Sequence, residues 1–169
     1  MTDSDQTVEV FISAYTDPAR AKAALERLEI MHKNEVIDLI DAATIFKDEN
    51  GKLHVKETAN HTKRDLGAGV AIGAAFGIIF PPSIIASAIV GGAAGGLFGH
   101  FTKKGLSQGS LAEAGKELDP GQTGLLVVAI DKYADQIKLG LEDYSTVSEH
   151  VLDAEASQAV IGAASANPK

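Results

Sequence analysis

The chain has 169 residues and a formal net charge of −8, from 15 Lys and Arg and 23 Asp and Glu. This length favours one domain with a buried core, and the acidic balance without a basic stripe argues against nucleic acid as a partner. The absence of cysteine excludes disulfides, thiolate metal sites and cysteine nucleophiles.

The first elements predicted in chain order are a strand and a helix. The segment 8–15 is short, apolar and β-branched at its start, which is typical of a buried strand. Asp17 and Pro18 follow it and favour a helix over 18–33, because Asp caps a helix and Pro fits the first turn. The apolar residues of that helix recur at helical spacing and predict one buried face.

A β-hairpin is predicted next, with strands over 39–47 and 52–58. Asn50 and Gly51 join them, a dipeptide that accepts the positive φ angles of a tight turn. The later elements are predicted as helix, strand, helix, strand and helix over 110–118, 125–130, 133–141, 146–152 and the residues after the cap Asp153.

This order predicts an α+β fold, ferredoxin-like (split βαβ) in its first six elements, with a C-terminal α-β-α extension. Residues 1–65 and 101–169 would form one domain, and residues 66–100 an inserted helical hairpin. Because both flanks have strands, caps and apolar stripes of their own, the sequence predicts that the domain folds without residues 66–101.

Residues 66–99 carry no charge, whereas the flanks 1–65 and 101–169 each carry a net −4. Small residues within this segment recur every four positions and would share a helix face, where another backbone can approach closely. The candidate assembly residues are Gly69, Gly73, Gly77, Gly91, Gly92, Gly95, Gly96 and Gly99. Each glycine costs a helix about 0.5–1 kcal/mol relative to alanine, so close packing or an apolar solvent must offset the loss.

The predicted hairpin turns at Pro81 and Pro82, which end one arm before the next begins. Each arm is about 22–24 Å long, less than the roughly 30 Å of a bilayer core.

Positive residues flank the segment on both sides: Lys63, Arg64, Lys103 and Lys104. By the positive-inside rule both ends, and hence both termini, would lie on the cytoplasmic side of the inner membrane. The first residues lack a basic and apolar leader, which favours cytoplasmic synthesis.

Three interpretations of the segment remain open. It could insert into a membrane, bury itself in a homo-oligomer, or form part of the core of a monomer. An uncharged stretch of this length would leave an exposed apolar patch unless something covered it.

The layout resembles a bacterial family of predicted membrane proteins, domain-of-unknown-function family 1269. The resemblance is carried by the first strand and helix, the hairpin "IDAATIFKDENGKLHVKET", a glycine-zipper pair with central prolines, and "LDPGQTGLLVVAID". It implies membrane association, and it implies no activity, substrate or catalytic residue.

No catalytic, cofactor or metal motif is predicted. The glycines near residue 67 do not have dinucleotide-loop spacing, and the five histidines have no zinc-ligand spacing. His61 and His100 flank the segment and could form a pH-sensitive pair at its base, although solvated side chains are the simpler interpretation. The carboxylates of Asp38, Asp41, Asp48 and Glu49 are expected at a solvated sheet edge, with a metal site as the alternative.

These observations predict a non-enzymatic, self-associating, membrane-linked protein without a cofactor, whose partners are membrane lipid and copies of itself. The alternative is a soluble oligomeric sensor of a small ligand, in which the segment is an assembly arm. That alternative depends on analogy with other ferredoxin-like domains.

Overall fold

The computed structural model describes residues 6–51, 53–58, 72, 75 and 116–165. The elements among them are β1 Val8–Tyr15, α1 Pro18–Lys33, β2 Leu39–Lys47, β3 Leu53–Thr58, β4 Thr123–Ile130, a 3-10 turn Asp131–Tyr133, α2 Ala134–Leu141, β5 Thr146–Val151 and α3 Ala154–Ser165. The predicted α+β class is confirmed, and the predicted bounds of β1, α1 and β2 are those observed.

The five strands form one sheet in the order β3-β2-β4-β1-β5. Every pairing is antiparallel, with Phe11 of β1 opposite Val127 of β4 and Asp41 of β2 opposite Val128. All eight residues of β4 are buried, which confirms the prediction of a strand covered on both faces. β3 and β5 are the outer strands of this sheet.

Two helices begin at the predicted caps. Asp17 Oδ1 accepts a hydrogen bond of 2.9 Å from Ala19 N, and Pro18 occupies the first position of α1. Asp153 Oδ1 accepts one of 2.8 Å from Ala156 N at the start of α3. Each carboxylate satisfies an amide that the helix itself leaves unpaired.

The predicted hairpin turn between β2 and β3 is also present. Gly51 has φ +80°, and its amide donates to Asp48 O at 2.9 Å. Gly121 has φ +85° in the turn before β4, where its amide donates to Lys47 O at 2.7 Å. Glycine adopts this left-handed conformation without the steric cost that a side chain would add.

One face of the sheet packs on α1 and α2, and we call it the α1 face. Phe11 and Tyr15 of β1 lie there against Leu28, and all three are fully buried. The Tyr15 hydroxyl donates to Leu141 O at 2.5 Å, which ties the end of α2 to the central strands. A Cβ on Gly140 would lie 2.7 Å from Leu28 Cδ2, so glycine permits the close approach of the two helices.

The other face packs on α3, and we call it the α3 face. Its strand residues include Val10 and Ile12. Ser157 of α3 is fully buried, and its hydroxyl accepts a 2.9 Å hydrogen bond from Val8 N. This hydrogen bond links α3 to the start of β1. The same core contains Ile72 and Ala75, which come from the uncharged segment.

Part of the predicted organisation lies outside the described residues. This applies to the helix over 110–118 except its last residues, of which Lys116 is helical, and to both arms of the hairpin except positions 72 and 75. The later predictions are confirmed, since a strand covers Thr146–Val151 and a helix follows Asp153.

Candidate functional site

The uncharged segment meets the sheet at Asp41. The register between β2 and β4 shifts between Leu39 and Asp41, so Ile40 is an extra residue in β2. A bulge of this kind turns the side chains that follow it. Asp41 is 4 % exposed, its Oδ1 accepts from Ala42 N at 3.0 Å, and its Oδ2 accepts from Ile72 N at 3.4 Å. The carboxylate therefore links β2 to the backbone of the segment.

Ile72 and Ala75 are helical and fully or almost fully buried, at 1 % and 0 % exposure. Three positions apart on a helix, they lie on one side of it. Both belong to the core of the α3 face, together with Leu126 and Val128 of the central strand β4. These two residues of the predicted first arm thus contribute to the core of the domain.

β2 also contacts the chain that leads into β4. Lys47 at the end of β2 donates from Nζ to Leu118 O at 2.8 Å. The Leu118 side chain lies so close to β4 that a Cβ on Gly124 would be 2.9 Å from its Cδ1. β2 therefore contacts the chain at two places: at Ile72, between Gly69 and Gly73, through Asp41, and at Leu118, after the last glycine of the repeats, through Lys47.

The neighbouring residue, Glu117, contacts the opposite edge of the sheet. Its carboxylate accepts a hydrogen bond from the Ser148 hydroxyl of β5 and lies 3.8 Å from His150 Nε2. Through Glu117 and Leu118, the chain before β4 thus contacts both β5 and β2.

Most of the residues predicted for this site lie outside the described part of the chain. They are Gly69, Gly73, Gly77, Gly91, Gly92, Gly95, Gly96, Gly99, Pro81, Pro82, Lys63, Arg64, Lys103, Lys104, His61 and His100. Their assignment to helix packing, turn and membrane flank stays a prediction.

The prediction of a solvated group of carboxylates was wrong for Asp41. The bulge in β2 places this residue on a covered face, and it is buried against Ile72 instead of lying at a wet edge. Asp48 is partly exposed and its Oδ2 lies 2.9 Å from His54 Nε2, which joins the two sides of the β2–β3 hairpin. Within residues 6–51, 53–58, 72, 75 and 116–165, no cluster of three His, Asp or Glu side chains could hold a metal ion.

A second polar site was missed by the sequence analysis. Glu9 of β1 is 3 % exposed, and its Oε2 has no hydrogen-bond partner among the described residues. Burial, followed by the hydrogen bond to the Asp131 carboxyl, raises the pKa of Glu9 to about 7. Glu149 of β5 is a further nearby carboxylate, and its Oε2 lies 2.7 Å from Lys138 Nζ. The signal in the sequence was a lone glutamate inside an apolar segment, which we expected to be a buried strand.

In the described part of the chain, no helix combines the length and the apolar character needed to cross a membrane.

Comparison with known proteins identifies a protein family. A protein-family model described as a protein of unknown function, DUF1269, matches residues 67–164. This range contains the uncharged segment from its second residue on, β4, α2, β5 and most of α3. No curated protein and no solved structure matches the chain.

Proposed function

Because the chain belongs to the DUF1269 family of proteins of unknown function, we propose a role that follows from its uncharged segment. In this proposal the protein is a non-enzymatic, self-associating, membrane-linked protein, and residues 66–100 are its assembly element. The α+β domain positions that element on the cytoplasmic side of the membrane. The observation that carries the proposal is a segment without charge between two acidic flanks.

The contacts of β2 support a role of the domain in positioning the segment. Asp41 accepts from Ile72 N and Lys47 donates to Leu118 O, so β2 holds the chain between Gly69 and Gly73 and again after Gly99. In this proposal the domain holds the start of the segment and the chain that follows it, and the glycines from Gly77 to Gly99 meet a lipid surface or a second copy. In either setting the small residues would allow backbones to approach closely.

Cell fractionation tests the membrane link. The full chain should remain in the membrane pellet after a carbonate wash, because buried apolar surface resists changes of pH and salt. As a matched comparison, the same chain with Ile84→Asp and Ile89→Asp carries charge in the second predicted arm and should move to the supernatant, since charge in hydrocarbon costs several kcal/mol. Recovery of the natural chain in the supernatant would contradict the membrane link.

Light scattering in a mild detergent tests self-association. Gly77→Leu with Gly95→Leu places bulky side chains where the proposal needs close backbone contact, and the mass of the assembly should fall. Gly162→Leu is the matched control, because a Cβ at this glycine of α3 meets nothing within 4 Å. An unchanged mass for the double variant would remove the packing argument.

Single cysteines test the orientation of the segment. The chain has no cysteine of its own, so Arg64→Cys and Lys104→Cys each introduce a single thiol. Both thiols should be labelled from the same side of a sealed membrane preparation. Labelling from opposite sides would require a single crossing of the membrane instead of a hairpin.

The second candidate function is a soluble oligomeric sensor of a small ligand. Ile72 and Ala75 are buried within the domain, so these two residues are not available to lipid. This supports a function in which the start of the segment does not enter a membrane. The ferredoxin-like interpretation behind it assigned the first six elements, which would place β3 between β1 and β2, and that assignment was wrong, because β4 lies there and β3 is an outer strand. The order β5-β1-β4-β2 supports a split βαβ arrangement only if β5, from the predicted C-terminal extension, is its fourth strand. A large soluble species after fractionation, together with a mass that falls in the glycine double variant, would favour this function over the first.

A further inference from the structure

Glu9 lies where β1, β5 and the chain leading into α2 meet. It is opposite Ala129 of β4 and opposite Val151 of β5 in the antiparallel register. Phe11, two residues further along β1, lies on the α1 face, and alternate residues of a strand share a face. Glu9 therefore points to the side of the sheet that α1 and α2 cover, and it is 3 % exposed.

The groups around Glu9 come from three elements. Asp131 begins the 3-10 turn after β4, where its amide donates to Thr7 O at 2.8 Å, two residues before Glu9. After burial, its carboxyl is the next cause of the raised pKa of Glu9. Glu149 of β5 lies close enough to act on Glu9 by its charge. Lys138 of α2 pairs with Glu149 at 2.7 Å and is the basic member of the group.

Further charged residues lie near this group. Asp135 is in the first turn of α2 and interacts with Lys138. Lys132 lies 4.8 Å from the centre of the Tyr133 ring, in the same 3-10 turn as Asp131. Asp38 precedes β2, and its backbone oxygen accepts from Ile130 N at this end of the sheet. β4 itself contains no charged residue. Acidic groups thus outnumber basic ones around Glu9.

We propose that a pH-sensitive cluster of charged side chains stabilises the packing of β5 and α2 on the central strands of the sheet. Its members are Glu9, Asp131, Glu149 and Lys138. With a proton on Glu9, the Glu9 and Asp131 carboxyls share a hydrogen bond, and Lys138 neutralises Glu149. When Glu9 loses that proton, a buried carboxylate without a full set of partners faces two other carboxylates. Repulsion and lost solvation then weaken the attachment of β5, which pairs with β1 alone among the strands that the structure describes.

The direction of the pH dependence follows from the two states of the chain. The pKa of Glu9 rises from 4.5 to about 7 on folding, so the folded protein holds this proton more tightly. Below pH 4.5 Glu9 is protonated in both states and imposes no penalty. Between pH 4.5 and 7 the unfolded chain releases the proton first, so stability falls as the pH rises, and above pH 7 the loss levels off.

Two measurements on the full chain test the proposal. The first follows urea unfolding between pH 5 and pH 8 for the natural protein and for Glu9→Gln, which imitates the protonated form. The unfolding equilibrium constant of the natural protein should rise on the order of 10- to 100-fold more across this range than that of Glu9→Gln. Glu26→Gln, at an exposed position on α1, is the matched control and should follow the natural protein.

The second measurement is a carbon-13 NMR titration of the Glu9 carboxyl in the natural chain, which needs no variant and therefore stands if Glu9→Gln does not fold. A midpoint near 7, with β5 amides exchanging faster above that pH after correction for the intrinsic rate, is the expected result. A midpoint near 4.5, or equal pH dependence of unfolding in the natural protein and Glu9→Gln, would overturn the proposal.

Discussion

The two faces of the sheet are covered by chain of different origin. The α1 face is closed by α1 and α2, each of which is adjacent in sequence to a strand it covers. The α3 face is closed by residues that are far apart in sequence, including Ile72, Ala75, Leu118 and Val160. The first face is local in the sequence, whereas the second depends on the segment that looks like an insertion.

This difference changes the expected role of residues 66–100. A segment that only carried a membrane anchor would leave the core of the domain complete. Ile72 and Ala75 are instead core residues, and Asp41 is buried to meet the backbone of Ile72. The start of the segment thus belongs to the fold, which favours the interpretation that this portion is part of the core of the domain. Assembly or lipid contact is proposed for the glycines after Ala75, from Gly77 to Gly99.

Deletion of residues 66–101 should have the largest effect. The sequence alone predicts a folded domain after this deletion, but the packing of Ile72 and Ala75 leads us to expect a domain without a closed α3 face. Circular dichroism should show loss of the cooperative thermal transition. A folded deletion protein with a native near-ultraviolet spectrum would show that the two faces are independent.

A pair of core truncations compares the faces directly. Leu28→Ala on the α1 face and Ile72→Ala on the α3 face should each lower the free energy of unfolding by about 2–5 kcal/mol, because both remove a fully buried side chain and leave a cavity. Urea unfolding of each variant measures this. A cost below about 1 kcal/mol for Ile72→Ala alone would mean that the segment does not contribute to the core.

A pair of glycine substitutions sharpens the comparison. A Cβ on Gly124 would lie 2.9 Å from Leu118 Cδ1, and one on Gly140 would lie 2.7 Å from Leu28 Cδ2. Gly124→Ala should cost about 1–3 kcal/mol by overpacking the α3 face. Gly140→Ala should lower the free energy of unfolding by about 1 kcal/mol less than Gly124→Ala does, because alanine has a higher helix propensity than the glycine it replaces in α2. Thermal unfolding would show the difference, and a stabilising Gly124→Ala would mean that Leu118 does not lie over β4.

The smallest effect is expected at Gly162 of α3, where a new Cβ meets nothing within 4 Å. Gly162→Ala should stabilise the protein by about 0.5–1 kcal/mol through helix propensity alone. A loss of stability would indicate that another surface covers this position.

Local signals made much of the fold predictable from the sequence. Asp17 with Pro18 located the start of α1, and Asn50 with Gly51 located the hairpin turn, because caps and turns depend on neighbouring residues. The burial of Asp41 was not predictable, since it follows from a register shift between β2 and β4. Glu9 was missed for the same kind of reason, because its neighbours Asp131 and Glu149 come from distant parts of the chain.

The uncharged segment shows the limit of such reasoning most clearly. Its composition predicts that an apolar surface covers it, but lipid, a second copy and the domain's own sheet are equally apolar. The pattern of glycines and alanines does not distinguish these surfaces, and the position of Ile72 depends on the sheet that 116–165 completes.

The most direct test of our account is the reactivity of a single thiol at position 75. The chain has no cysteine, so Ala75→Cys introduces one in the core of the α3 face, and Ala19→Cys introduces one at an exposed position of α1 as the control. We expect the thiol at position 75 to react with maleimide at least about 100-fold more slowly, and to become reactive at the urea concentration at which the sheet unfolds. Equal reactivity of the two thiols in the native protein, or protection at position 75 that persists after the sheet has unfolded, would contradict the packing of the segment on the sheet.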